Sequence, residues 1–390
     1  MHQTDVIIVG GGMVGGATAL ALADLGLKVT LFERQAPLDF DQEQPFDLRV
    51  SAISLGSEQL LASLDAWHPI HEMRACPYKR LGVSEIESSY TEFNAELIDR
   101  THLGHIIENR VVQLALWKKI SEHHRVEVVI GEALESLQTS EAGVSLVGEK
   151  NSYCAKLVVA ADGANSWVRK QVGIGCTGWN YRQAAMLINV STALPQQDIT
   201  WQKFTSSGPL AMLPLPGNNA SLVWYHHKDE IKRLSQLSNQ QLCEAVNREF
   251  PDKLGKIETV IDKAFFPLTR QHANQYYKGS VVLLGDSAHS INPLAGQGVN
   301  LGFKDVRALQ FAIAEAISGG ASWHSESVLK NYERQRRTDN LMMMSGMDAI
   351  YSAFSNDNPV VKGLRNAALI AANKLPFGKK KVLEYACGLA

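Results

Sequence analysis

Short apolar runs rich in β-branched residues recur along the chain, and each of three ends on a glycine or aspartate turn. Val6-Ile7-Ile8-Val9 is the first, and its composition predicts a buried strand. Small residues from Ala17 to Leu25 predict a helix closed by Gly26, and Lys28–Phe32 predicts a second strand with Glu33 at its end. Apolar residues at helical spacing (Leu60, Leu61, Leu64, Trp67) predict helix over 54–75. Alternation at Leu81, Val83, Ile86 and Phe93 predicts paired strands between Lys79 and Ile98. An amphipathic helix follows from Glu108 with Asn109 as its cap, then a strand at Val126–Ile130 and a hairpin-like stretch over 131–157. Leu157–Ala161 runs into Asp162-Gly163, with a helix starting near Ser166. Strand-like runs dominate 178–268, interrupted by one amphipathic helix at about 238–250. Ser280–Leu284 then ends in Gly285-Asp286, and a long helix continues from Leu301.

This order predicts an α/β fold: a Rossmann-like nucleotide-binding domain carrying an inserted antiparallel-sheet domain and a helical tail. The nucleotide domain takes residues 1–75, 102–177 and 270–340. The inserted sheet takes 76–101 and 178–269, and the tail takes 341–390.

The first turn carries the most specific local signal. Gly10, Gly12 and Gly15 meet the G-x-G-x-x-G pattern between a strand and a helix, with Glu33 at the end of the next strand. Gly10 serves the tight turn, and Gly12 lets the backbone approach a pyrophosphate. Gly15 lets the helix pack on the strand, while the N–H groups of the first helical turn face the anion. Glu33 suits a ribose with free hydroxyls and repels a 2′-phosphate. The pattern predicts a dinucleotide and leaves its identity open.

Composition narrows the field by exclusion. The net charge of −2 over 390 residues gives no basis for nucleic-acid binding. Five cysteines without a C-x-x-C predict reduced thiols rather than disulfides or zinc, and the adjacent pairs His123-His124 and His226-His227 lack metal-ligand spacing. No metal is expected. The N-terminus enters a strand within five residues, and no run approaches ~18 apolar residues. A cytoplasmic protein is expected, with contact on the inner face of the membrane left open.

Three strand-end motifs in order, Gly10–Gly15 with Glu33, Ala161-Asp162-Gly163 and Gly285-Asp286, resemble the class A flavoprotein aromatic hydroxylases of the para-hydroxybenzoate hydroxylase type. Gly285–His289 with Asn292–Gly302 is similar to the signature of the ubiquinone-biosynthesis hydroxylases. Asp47–Ser54, Glu108–Trp117 and Ala160–Arg169 agree with that subfamily. Trp201–Thr205, Ser221–Tyr225, Phe266–Arg270 and Ser345–Asp348 are similar to one branch that acts late in the aerobic pathway.

The resemblance implies FAD as cofactor and a prenylated benzoquinol and O2 as substrates, with NAD(P)H as donor. The reaction it implies is a ring hydroxylation through a flavin C4a-hydroperoxide. It turns Arg49 and Arg110 into FAD contacts with Gln113 beside them, where the residues alone also allow a surface arginine and polar packing. Asp162 and Gly163 fall near the pyrophosphate and Asp286 on the ribityl region. Gly285 and Gly296 open the turns, and the backbone N–H groups of Gly298, Val299 and Asn300 are placed to stabilise charge on the flavin ring. Pro293 walls the reacting centre, and Gln297 is grouped with it as a candidate. His289 has two readings, a general base for a quinol hydroxyl or a structural histidine that orders its loop. The same motifs fit a second ring hydroxylase of the pathway, a FAD-dependent isoprenoid reductase, or a flavin-holding scaffold bound to other ubiquinone-biosynthesis proteins. The tail mixes apolar runs with Lys362, Arg365, Lys374 and Lys379-Lys380-Lys381. It suits either a cap on the FAD domain or a basic helix on an anionic membrane, and the two are compatible.

Overall fold

The computed structural model describes residues 2–140, 143–251, 255–292, 296, 298–356, 358–374 and 376–389. Its organising feature is a six-stranded sheet. The order is Tyr277–Lys278, Val281–Leu283, Leu157–Ala160, Val6–Val9, Val29–Glu33 and Val126–Ile130. All neighbours run parallel except the Tyr277–Lys278 edge. Strands buried on both faces read as unbroken apolar runs, which is why Val6–Val9 and Leu157–Ala160 show no alternation.

Register then positions the site. Val9 sits opposite both Phe32 and Ala160, and Ala160 opposite Leu283. Parallel strands in register end side by side, about 4.8 Å apart. The three motif turns therefore leave the sheet along one edge. Helix Met13–Ala23 covers one face with Asn109–Glu122 and Gly298–Ser318 beside it, and the side chains between them form one core with the sheet.

A second, eight-stranded sheet carries the inserted region. Its order is His289–Ser290, Ile257–Ala273, Cys176–Thr192, Asn219–His227, Leu210–Leu215, Ile199–Lys203, Arg80–Ser84 and Thr91–Asn94. It is antiparallel apart from the Ile199–Lys203 and Arg80–Ser84 pair. Cys176–Thr192 and Ile257–Ala273 each run for 17 residues with irregular register, so the separate runs at 260–261 and 264–268 belong to one strand. His289 pairs with His272, which joins the strand leaving the third motif directly to this sheet.

Several expectations are corrected. The helical region 54–75 is two helices, Leu55–Ser63 and Trp67–Met73, separated near Asp65 at φ 55°. Glu108, not Asn109, occupies the cap, and Asn109 begins the helix while its side-chain oxygen accepts from the Ser51 hydroxyl. The short charged helix Lys228–Ser235 is additional, and the helix expected from Leu301 begins at Gly298. The tail is helical through Glu326–Phe354, Pro359–Lys374 and Pro376–Ala386. Leu383 and Cys387 bury against Leu55, Ala95, Ile98 and Leu103. Lys379 donates to the Glu92 carbonyl and Lys380 pairs with Asp99, so these two cations face protein. The tail is a cap.

Candidate functional site

Backbone crowding makes the first turn what it is. Gly10 has φ 105°, and a Cβ there would lie 2.4 Å from the Ala161 carbonyl oxygen; one at Gly15 would lie 1.8 Å from the Gly10 oxygen. At Gly12 a Cβ would meet no atom within 4 Å. Gly12 also caps the helix without a side-chain hydrogen bond, so no side-chain cap competes for the N–H groups of the first turn.

Around that turn, three side chains hold its neighbour. The Gly11 N–H donates to Glu33 Oε2 at 2.6 Å, and the Gly11 carbonyl accepts from both Gln113 Nε2 and Trp117 Nε1 at 2.8 Å. Gln113 thus shapes the turn. Trp117, one helical turn further on, was missed in the sequence. Its spacing from Gln113 was the available signal, and a partly buried indole reads as packing without the fold. Glu33 also accepts from the N–H groups of Arg34 and Gln35, and two carboxylate oxygens retain lone pairs for ribose hydroxyls.

The second turn caps its own helix. Asp162 Oδ2 accepts from the Trp167 and Val168 N–H groups at 2.7 and 3.1 Å, while its Oδ1 is buried without a partner. Gly163 has φ 80° and a Cβ there would meet nothing within 4 Å. Arg169, whose role the sequence did not disclose, donates to the Ala164 and Ser287 carbonyls and ties the second turn to the third.

The third turn is anchored from beneath. Asp305 is fully buried, and its Oδ2 accepts from the Gly285 N–H at 3.0 Å and lies 2.6 Å from His289 Nε2. Its Oδ1 accepts from Arg336 Nε at 2.8 Å and Asn340 Nδ2 at 3.2 Å. Burial would raise the Asp305 carboxyl, but His289 and Arg336 outweigh it and hold the carboxyl down at about 2. The sequence did not single out Asp305; the available signal was its place as the one acid on the apolar row Leu301, Asp305, Leu309 of its helix. His289 is buried, and its Nδ1 has no partner.

Asp286 differs from Asp305. It is exposed, yet enough protein surrounds it that desolvation raises its carboxyl above the ordinary value, with His289 and Arg49 acting in the opposite direction. An accessible carboxylate with this penalty stands in a recess rather than on open surface. Arg49 is exposed and close enough to act on it, so the structure brings these two together. Arg110 instead makes a bidentate pair with Asp47, both bonds at 2.9 Å, and only its remaining N–H groups can reach a cofactor.

The Asn300 side chain is spent on structure. Its oxygen accepts from the Ser54 N–H and the Ser57 hydroxyl, and its nitrogen donates to the Ala52 and Gly296 carbonyls. Only its backbone N–H, with those of Gly298 and Val299, belongs to the first turn of the helix. Gly296 has φ 61° and stands against Ala52. Pro293 and Gln297 lie outside the described residues.

The open backbone at Gly12 and Gly163, the partnerless Asp162 oxygen and the recessed Asp286 line one edge of the parallel sheet. They fit an extended dinucleotide such as FAD.

The likenesses to known proteins agree with this geometry. Residues 3–344 match the family described as FAD binding domain. The chain is 43% identical over 389 residues to the 3-demethoxyubiquinol 3-hydroxylase of Escherichia coli (strain K12), covering 100% of this chain and 99% of that protein. It is 32% identical to a ubiquinone hydroxylase of Rhodospirillum rubrum, covering 98% of this chain and 89% of that protein. Among solved structures, p-nitrophenol 4-monooxygenase from Pseudomonas putida DLL-E4 superposes with a TM-score of 0.80 at 19% identity, over 100% of this chain and 99% of the other. At that identity the likeness speaks for the fold.

Proposed function

We propose that this chain, which belongs to the FAD binding domain family, hydroxylates the ring of a prenylated benzoquinol in ubiquinone biosynthesis, a demethoxyubiquinol in particular. The observation that carries the reading is its end-to-end likeness to the E. coli 3-demethoxyubiquinol 3-hydroxylase, with all three nucleotide turns intact along one sheet edge. The protein is a FAD-dependent monooxygenase. FAD, when bound, supplies the redox chemistry that delivers one atom of O2 to the ring, and NAD(P)H is the donor we assign.

The residues divide the remaining work. The Gly10–Gly15 turn and the helix behind it hold the pyrophosphate, Glu33 the adenosine ribose, and Asp286 with Arg49 the ribityl stretch between pyrophosphate and flavin ring. The helix N-terminus at Gly298, Val299 and Asn300 offers N–H donors to negative charge on the flavin ring.

We assign His289 as the base that takes the quinol hydroxyl proton. Asp305 accepts a hydrogen bond at Nε2, which fixes the tautomer and leaves the partnerless Nδ1 with its lone pair. A rise in electron density on the ring follows deprotonation and favours its attack on oxygen. We assign contact with the membrane, where a prenylated substrate resides, to helix Pro359–Lys374. There Val360 and Leu364 are 69% and 68% exposed on successive turns.

The test supplies purified protein with a demethoxyubiquinol, NAD(P)H and 18O2. Label in the ring supports the proposal, and NAD(P)H oxidation that yields only hydrogen peroxide overturns it. His289→Asn is expected to lower ring hydroxylation far more than FAD content; unchanged hydroxylation removes the role.

A further inference from the structure

A cluster of imidazoles and one carboxylate stands apart from the three turns. Glu58 projects from helix Leu55–Ser63, His102 from the loop before strand Gly104–Glu108, and His105 from within that strand. Glu58 Oε2 lies 2.9 Å from His102 Nε2 and 3.3 Å from His105 Nδ1, and the three ligand atoms all fall within 4.8 Å of one another.

We propose that Glu58, His102 and His105 bind a divalent transition-metal cation of the zinc class, pinning helix Leu55–Ser63 to strand Gly104–Glu108. Ligands at about 2.0–2.2 Å around a tetrahedral ion stand about 3.3 Å apart, so the Glu58–His105 separation already matches and the other two need only side-chain adjustment. Two imidazoles and a carboxylate are a common zinc set, with water in the fourth position.

Two independent features support a ligand here. His105 is almost wholly buried, and its Nδ1, aimed at Glu58, makes no hydrogen bond of acceptable geometry. A buried polar atom left in that state is costly unless something fills the role. His102 is also prepared from behind. Its Nδ1 lies 2.9 Å from the Thr101 hydroxyl, a contact that orients the ring with Nε2 facing the site. The ring of His71 packs edge-on against His105, with centroids 5.2 Å apart, and Trp67 closes the same side. The other charges in reach are His68, which acts on His71, and Glu72, which pairs with His68.

The helix concerned is the one whose Ser57 holds Asn300, so occupancy would brace the wall behind the third motif. The site is separate from hydroxylation, and its test does not depend on turnover. Tag-free, FAD-loaded protein is stripped with a chelator and titrated with zinc chloride by calorimetry, with thermal unfolding followed in parallel.

One equivalent of bound zinc and a raised unfolding midpoint are expected. His102→Ala and Glu58→Gln should each weaken binding by on the order of 100-fold, while His226→Ala leaves it unchanged. Affinity should fall from pH 7.5 to 5.5 as protons compete for the imidazoles. Zinc uptake well below one equivalent in the wild type overturns the proposal, as does uptake that both His102→Ala and Glu58→Gln retain.

Discussion

Replacing Asp305 by asparagine tests how the third motif is held. The carboxylate serves four donors at once: the Gly285 N–H, His289 Nε2, Arg336 Nε and Asn340 Nδ2. Breaking a buried ion pair by removing one partner costs about 3–5 kcal/mol. Asparagine keeps the volume and one acceptor oxygen, and Arg336 retains Asp339 and Asn340, so about 3 kcal/mol is expected. For 390 residues the unfolding entropy is roughly 0.8 kcal/mol/K, which makes this a fall in Tm of about 4 °C at pH 7.

The pH dependence carries the sharper signature. The Asp305 carboxyl is depressed from 3.8 to about 2 in the folded protein, so its contribution is complete above the unfolded value and is lost as pH falls through the folded one. That window is worth about 2 kcal/mol in all, of which roughly 1 kcal/mol is gone by pH 3. The gap between wild type and Asp305→Asn should therefore be constant above pH 5 and narrow below pH 4. Thermal unfolding of both proteins across pH 3–7, with flavin release recorded in the same scan, measures it. A Tm difference under 1 °C at pH 7, or a gap that widens in acid, would refute the account of Asp305 as a charged keystone.

Gly15→Ala should abolish flavin retention, because its Cβ has no room against the Gly10 carbonyl; a wild-type ratio of flavin absorbance to protein would contradict this. Trp117→Phe removes one of two donors to the Gly11 carbonyl, worth about 0.5–1.5 kcal/mol, and should weaken FAD binding roughly 2- to 10-fold in a fluorescence titration of apoprotein. Leu383→Ala should cost about 2–5 kcal/mol in denaturant unfolding, since its side chain is buried where the tail caps Leu55 and Leu103. Val360→Ser with Leu364→Ser should reduce flotation with anionic vesicles while leaving the unfolding midpoint unchanged, since both side chains are exposed.

The residues that form the three turns were legible because their requirements are local. A glycine at positive φ, an acid at a strand end and an apolar run are each readable within a dozen residues, as Gly10, Glu33 and Val6–Val9 illustrate. What lay beyond reach was the second partner of each contact. Arg110 read as a cofactor arginine, yet its bidentate pairing is with Asp47, 63 residues away. Asn300 read through its backbone, yet its side chain bonds Ser54 and Ser57 some 240 positions earlier. The single helix expected over 54–75 failed for a local reason that periodicity does not carry, the left-handed turn at Asp65.

The sequence by itself determined the local geometry: which segments are strands, where each turn needs glycine, and the order in which three anion-compatible turns follow one another. Hydrophobic period and backbone sterics act over a few residues, so a linear pattern records them. The tertiary structure alone decided that strands 150 residues apart would lie in register and set those turns on one edge. It also decided that Asp305, Arg336 and His289 would meet beneath the third turn, and that the tail would close on Leu55. Buried charges and helix caps take their meaning from partners that burial selects, and burial belongs to the whole chain.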